Sequence, residues 1–185
     1  MAGWQDTSPV TAPAVAEDGI TPPGTPYTVR APIGGAGADS LVSGIAVLTE
    51  GPAGVVIRIQ ITDLPVEARS AWHGLHLHLR ADCSGDGFAT AGSHVGAGEN
   101  GHGLLAPDGP EAGDLPNVWA DAAGDVNAEI HATAVTLTGA LGRTMLLDDD
   151  GSTLILHAGP DDHTSTPAGD AGGRIACGEI SPAEP

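Results

Sequence analysis

Val55-Val56-Ile57-Arg58-Ile59-Gln60-Ile61-Thr62 is rich in β-branched residues, and from Ile57 onward isoleucine alternates with Arg58, Gln60 and Thr62. A side-chain period of two marks a strand with one face in a core and the other in water. Residues 41–50 read as its partner strand, and Gly51-Pro52-Ala53-Gly54 as the hairpin turn between them. Further strands are expected at 72–79, 116–120, 125–137, 153–157 and 174–180, and no segment keeps a 3.6-residue apolar period over a normal helix length. The fold class expected is all-β: an antiparallel sandwich or Greek-key β-barrel of about eight strands. Residues 80–115 and 158–173 show no periodicity and become two long loops. Irregular segments of that length inside a compact domain usually carry function.

The composition agrees with a β protein. There are 28 glycines and 15 prolines for turns, and aromatic residues make up only 3%. A chain of 185 residues suits one domain and a tail. Residues 1–38, with Thr21-Pro22-Pro23-Gly24-Thr25-Pro26, read as a Pro/Gly/Ala-rich tail or linker with at most a short strand at 27–33; residues 39–185 read as the β-barrel domain. The net charge is −18, and all six basic residues are arginines, which argues against nucleic acid or an anionic membrane as partner. No stretch is long and apolar enough to span a bilayer, so no membrane insertion is expected. Met1-Ala2-Gly3-Trp4 shows no signal-peptide pattern. Cys83 and Cys177, if joined, enclose about half of the chain, a bond worth about 4–5 kcal/mol in the chain-entropy model. Such a bond persists in exported proteins and is unusual in reducing cytosol.

Chemistry enters with the histidines. His76 and His78 stand two apart on an apolar run, which puts both imidazoles on one strand face and sends Leu75, Leu77 and Leu79 into the core. His94, His102 and His157 lie in later glycine-framed or apolar contexts. Imidazole is the common nitrogen ligand of copper and zinc, so several strand and loop histidines together point to a metal site.

These segments, in order, resemble the Cu/Zn superoxide dismutase family of bacterial type across about residues 41–181. Gly74-Leu75-His76-Leu77-His78 is similar to the family's pair of copper ligands, and Ala91-Gly92-Ser93-His94 to the segment holding the histidine shared by copper and zinc. His102 and Gly113-Asp114-Leu115 are similar to zinc-ligand motifs, and His157-Ala158-Gly159-Pro160-Asp161 to the last copper histidine and a supporting aspartate. Gly169-Asp170-Ala171-Gly172-Gly173-Arg174-Ile175-Ala176-Cys177 resembles the closing signature with its active-site arginine. The resemblance implies copper on His76, His78, His94 and His157, a Cys83–Cys177 disulfide, and Asp161 accepting hydrogen bonds from His76 and His102. It implies a superoxide dismutase, an antioxidant oxidoreductase with superoxide anion as substrate and copper cycling between Cu(II) and Cu(I). Arg174 would hold the anion and His94 would relay a proton.

One position departs from the family. Its third zinc histidine is Glu111 here. His94, His102, Glu111 and Asp114 then form a candidate zinc set, since carboxylates ligate zinc. Alternatively Glu111 orients His94 in a copper-only enzyme, the reading slightly preferred from sequence. The loop after His157 is also short and lacks lysine. His73, His131 and His163 match no ligand and read as surface or supporting residues, and Trp72 and Trp119 as packing residues. A non-catalytic copper-binding or copper-delivery domain is the alternative function. The expected location is periplasmic or extracellular (secreted), with the cytoplasm left open, and the expected state is monomer or homodimer.

Overall fold

The computed structural model describes residues 26–37 and 40–182. Eleven strands follow in chain order: β1 (Thr28–Gly35), β2 (Ser43–Gly51), β3 (Gly54–Thr62), β4 (Ala71–His73), β5 (Leu75–His78), β6 (Val118–Ala120), β7 (Val126–Ala132), β8 (Val135–Thr136), β9 (Thr144–Met145), β10 (Ser152–His157) and β11 (Arg174–Ile180). Nine form one antiparallel sheet in the order β4-β6-β7-β3-β2-β1-β11-β10-β5, and β8 pairs with β9 separately. The two edge strands, β4 and β5, are consecutive in the chain and separated only by Gly74. The sheet therefore curls until its edges meet at that glycine, whose N–H donates to Gly159 and whose carbonyl accepts from His157 N–H. Closure of this kind removes the unpaired edges of an open sheet.

Inside, β3 behaves as its alternation requires. Ile57, Ile59 and Ile61 are buried, whereas Arg58, Gln60 and Thr62 face water. The same face collects Leu48, Leu75, Leu77, Leu154 and Leu156 into one aliphatic core. Each such side chain contributes about 1.5–3 kcal/mol on full burial. A second, smaller cluster of Phe88, Ala91, Ile155 and Cys177 lies outside the barrel, under the loop that follows β5. The Cys83–Cys177 disulfide fastens that loop to β11.

Four expectations need correction. Residues 125–137 divide into β7 and β8, and β8 pairs with β9 outside the main sheet. The barrel starts before residue 39: β1 spans Thr28–Gly35 and pairs with both β2 and β11. Its Val29, Ala31 and Ile33 fill the core, an alternation that the surrounding glycines and prolines mask in the sequence. Residues 1–25, the rest of the expected tail, lie outside the described residues. Residues 72–79 are not one strand, because Gly74 divides β4 from β5. Leu79 follows the end of β5 and is 43% exposed instead of joining Leu75 and Leu77 in the core. Trp72 and Trp119 do pack, but on each other in an edge-to-face pair at the surface, 53% and 46% exposed.

Candidate metal centre

The outer face of β5 carries His76 and His78, and both are buried because the loop between β5 and β6 lies over them. That loop is stitched to β5 by main-chain hydrogen bonds: Val95 N–H to Leu77 O, Leu77 N–H to Gly113 O and Leu79 N–H to Ser93 O. The stitching sets His94 opposite His78 and Asp114 opposite His76. On the other side of β5, Ile155 of β10 pairs with His76. A bulge between Leu156 and His157 re-aims the last residue of β10 and places it in register with Arg174. Three chain segments thereby converge on one buried spot, and the ring nitrogens of His76, His78, His94 and His157 offer atoms within 4.8 Å of one another.

Hydrogen bonds decide which nitrogens face inward. Asp161 is buried, and burial by itself would raise its pKa. Hydrogen bonds from His76, the His163 amide and His102 outweigh that effect and hold the carboxyl well below the usual carboxylate range. An ionised carboxylate only accepts, so His76 Nε2 (2.8 Å) and His102 Nε2 (3.2 Å) carry the protons. His78 Nδ1 donates to Gly92 O at 2.9 Å and His157 Nδ1 to Gly172 O at 3.1 Å. The remaining nitrogens are His76 Nδ1, His102 Nδ1, His78 Nε2 and His157 Nε2; all are buried and none has a hydrogen-bond partner. Four orphaned lone pairs in a dry site are costly unless something else takes them. Burial, chiefly, also pushes the pKa of His76 and His78 down and that of His157 to about 4, which keeps these rings neutral and fit to ligate.

A second cluster shares His94. Its Nδ1 lies 3.0 Å from Glu111 Oε2 and 3.1 Å from Asp114 Oδ1, while His102 Nδ1 lies 3.6 and 2.9 Å from the same two oxygens. Although His102 Nδ1 is that close to Asp114, it makes no hydrogen bond there. Ligands about 2.0–2.2 Å from one tetrahedral ion stand roughly 3.3–3.6 Å apart; one of the four separations, 3.6 Å, reaches that edge and the other three, at 2.9–3.1 Å, are somewhat shorter. Burial disfavours charge on both Asp114 and His102. Yet hydrogen bonds from His94 and the Gly103 amide lower the Asp114 pKa, and the Asp114 and Asp161 carboxylates raise that of His102. Two buried carboxylates and one shared imidazole thus make a pocket that attracts a cation, whereas the first cluster holds imidazoles and no carboxylate. The donor sets fit zinc and copper respectively.

Arg174 flanks the first cluster from β11. Its Nη1 donates to Phe88 O and its Nη2 to Gly92 O, both at 2.6 Å, so it is held by carbonyls and pairs with neither Asp170 nor Glu179. Gly92 O accepts from Arg174 and from His78 together, which couples the arginine to an imidazole of the cluster.

The structure brings together all of the expected site residues: His76, His78, His94, His102, Glu111, Asp114, His157, Asp161 and Arg174. His131 stays on the surface, away from them. His163 reaches Asp161 through its amide and Asn117 through Nε2. Sequence reasoning undervalued His73, which is fully buried. Its Nδ1 is 2.8 Å from His157 O and its Nε2 2.7 Å from Ala68 O, so the ring ties the main chain of His157 to the turn before β4. It also missed Gly169, where a Cβ would collide with Asp161 Oδ1 and crowd His102 Nε2. Its φ of +60° is a glycine conformation, and that positive φ is the trait a turn-forming Ala-Gly-Asp hints at in sequence.

The family model for copper/zinc superoxide dismutase (SODC) matches residues 42–180. A Cu-Zn superoxide dismutase of Caulobacter vibrioides is 45% identical over 143 residues, 77% of this chain and 80% of that one. Superoxide dismutase 2 (Cu-Zn) of Aquifex aeolicus is 41% identical over 139 residues, covering 75% and 79%. Among solved structures, a double mutant of a SOD-like protein from Bacillus subtilis superposes with a TM-score of 0.75 at 30% identity, covering 83% of this chain and 97% of that one.

Proposed function

The chain belongs to the copper/zinc superoxide dismutase family and is an oxidoreductase acting on superoxide; from that premise we propose which residues carry the activity and which metals they take. Copper binds His76 Nδ1, His78 Nε2, His157 Nε2 and His94. The observation that carries this assignment is that His76, His78 and His157 present buried inward nitrogens without partners, each fixed by a hydrogen bond on its opposite side, with His94 in reach of all three. Zinc binds His94, His102, Glu111 and Asp114. What favours zinc over a copper-only enzyme is His102, whose buried Nδ1 has no other use, together with the paired negative charge of Glu111 and Asp114.

When bound, copper supplies a one-electron couple that oxidises one superoxide to dioxygen and reduces the next to hydrogen peroxide. The protein residues do the rest. Arg174 spends two of its five N–H donors on carbonyls, which fixes the guanidinium and leaves others for a charge-assisted hydrogen bond to the anion. His94 has Nδ1 committed to the mixed cluster, so Nε2 is where it holds and passes the proton that the peroxide product needs. Asp161 bridges His76 and His102 and so sets the orientation of one ring in each cluster. The disulfide, together with the bacterial relatives, supports a periplasmic or extracellular location, where such bonds persist.

The test is metal reconstitution. Metal-free protein is reloaded with copper alone and then with zinc, with metal content measured and cobalt(II) used as a spectroscopic substitute for zinc. The expected result is one equivalent of each metal, a tetrahedral cobalt spectrum that vanishes in Glu111→Gln, and full dismutation only with both. Full turnover and no zinc uptake would return Glu111 to the role of orienting His94.

A further inference from the structure

A cleft of about 380 Å³ opens on the outside of the barrel where β1 passes β11, beside the loop that carries Phe88. Gly34 pairs with Cys177 across the two strands and forms part of its floor. Cys83, Phe88 and Cys177 form the apolar wall, and Arg30 and Glu179 supply one charge of each sign. A Cβ on Gly34 would meet nothing within 4 Å, so the cleft owes its depth to that glycine.

Arg30 stands apart from the other arginines. Arg58 pairs with Glu129 and Arg80 with Asp150, while Arg69, Arg143 and Arg174 donate to carbonyls. Among the described residues the Arg30 side chain has no ion-pair or hydrogen-bond partner, in a chain with four times as many acids as bases. Glu179 gives one oxygen to the Cys83 amide and keeps the other. An occupant that satisfies this cleft therefore needs a carboxylate for Arg30, an amine or amide donor for Glu179, and a group suited to the sulfur wall. We propose that the cleft docks a small acidic peptide thiol, glutathione-like in chemistry, which exchanges with the Cys83–Cys177 disulfide.

The chemistry balances as thiol–disulfide exchange. The peptide thiolate attacks Sγ of Cys83, the less buried of the two cysteines; the S–S bond breaks, and Cys177 leaves as a thiolate and takes up a proton. A second peptide thiol attacks the mixed disulfide, releasing Cys83 as a thiol and the peptide as its own disulfide. Two electrons pass from two thiols to the protein, and the reverse path closes the bond again. The consequence for catalysis rests on the assignment of Arg174 above. Opening the bond frees the segment that carries Phe88 O and Gly92 O, the two carbonyls that hold the guanidinium.

The experiment measures disulfide reduction in the metal-loaded protein by alkylation and mass, with glutathione and with uncharged 2-mercaptoethanol compared at equal thiolate concentration. Glutathione is expected to react faster. Arg30→Ala should slow it about fivefold, an effect that fades as salt screens the charge, while leaving mercaptoethanol within about twofold. Gly34→Val should act likewise by filling the floor. Equal rates for the two thiols, or an unchanged ratio in both variants, would overturn docking. Because thiols are counted directly, this result is independent of the metal assignment. Dismutation that falls in step with the free-thiol count supports the link to Arg174, and unaltered turnover in fully reduced protein removes it.

Discussion

The two clusters that share His94 differ in one respect that decides their chemistry. The first is built of four imidazoles and holds no carboxylate; the second joins two imidazoles to Glu111 and Asp114. A neutral ligand set tolerates a metal whose charge changes by one in each half-cycle. A buried set bearing two negative charges favours an ion of fixed double charge, because burial without it leaves charge uncompensated. His76 sits in one cluster through Nδ1 and is tied through Nε2, by way of Asp161, to His102 in the other.

The largest expected effect comes from deleting a ligand of one cluster only. His157→Ala should abolish copper-dependent turnover and copper binding, well beyond the roughly 10–100-fold cost of losing an outer partner, while zinc content by elemental analysis stays at one equivalent. Parallel loss of both metals would show that the clusters are not separable. Asp161→Asn comes next: it should weaken metal affinity at both clusters by about 10–100-fold, since one carboxylate orients a ring in each. Competition titration with a chelator measures it, and an effect on a single metal would break the proposed coupling. Arg174→Ala should lower turnover about tenfold, the lower end of what a charged hydrogen bond contributes, with the copper spectrum unchanged.

A smaller and more diagnostic effect is the pH dependence of the metal-free protein. His76, His78 and His157 are neutral in the folded chain well below the ordinary histidine value of about 6.5, His157 down to about 4. The unfolded chain therefore takes up protons first as pH falls. Their contribution is complete above pH 6.5 and drains away between about 6.5 and 4. His102 in the mixed cluster runs the other way: its pKa is raised, so it adds stability below 6.5 and loses it as pH rises through its folded value. Thermal unfolding should show the midpoint falling from pH 6.5 toward 4.5, less steeply in His157→Ala, whereas His102→Ala should alter the profile above pH 6.5, where the loss of stability due to His102 disappears. A flat profile in all three would mean that the two clusters do not differ in protonation.

How much of this was legible depended on range. Ile57, Ile59 and Ile61, and the His76–His78 pair, declare themselves because a strand's period of two is written locally. The split at Gly74 was not legible: β4 and β5 are edges of a closed sheet, and closure is a property of nine strands together. Leu79 was misplaced for the same reason, because the strand stops at His78 where the loop turns away. β1 was underestimated since Pro32, Gly34 and Gly35 dilute a signal that only pairing with β2 and β11 makes plain. At the site, residue types announced the ligands, but the partners of Arg174 and His73 are main-chain carbonyls, which no side-chain pattern encodes.

The smallest effect tests the comparison through long-range charge. The net charge of −18 repels superoxide, and Arg174 is the one cation held against the four-imidazole cluster among the described residues. Repulsion from the distant surface is screened beyond about 8 Å at physiological salt, whereas the contact with Arg174 is short and screened far less. Raising ionic strength from low to physiological should therefore change turnover by less than about twofold, and upward if at all. A zinc-free preparation sharpens the point. With Glu111 and Asp114 uncompensated beside His94, two negative charges are added within the reach of the substrate, so the acceleration by salt should grow relative to the zinc-loaded protein. A steep fall of turnover with salt in both forms would mean that the local field of Arg174 outweighs the whole acidic surface. An identical response in both forms would mean that the mixed cluster is already neutral without its metal, through protons on the carboxylates or their histidines.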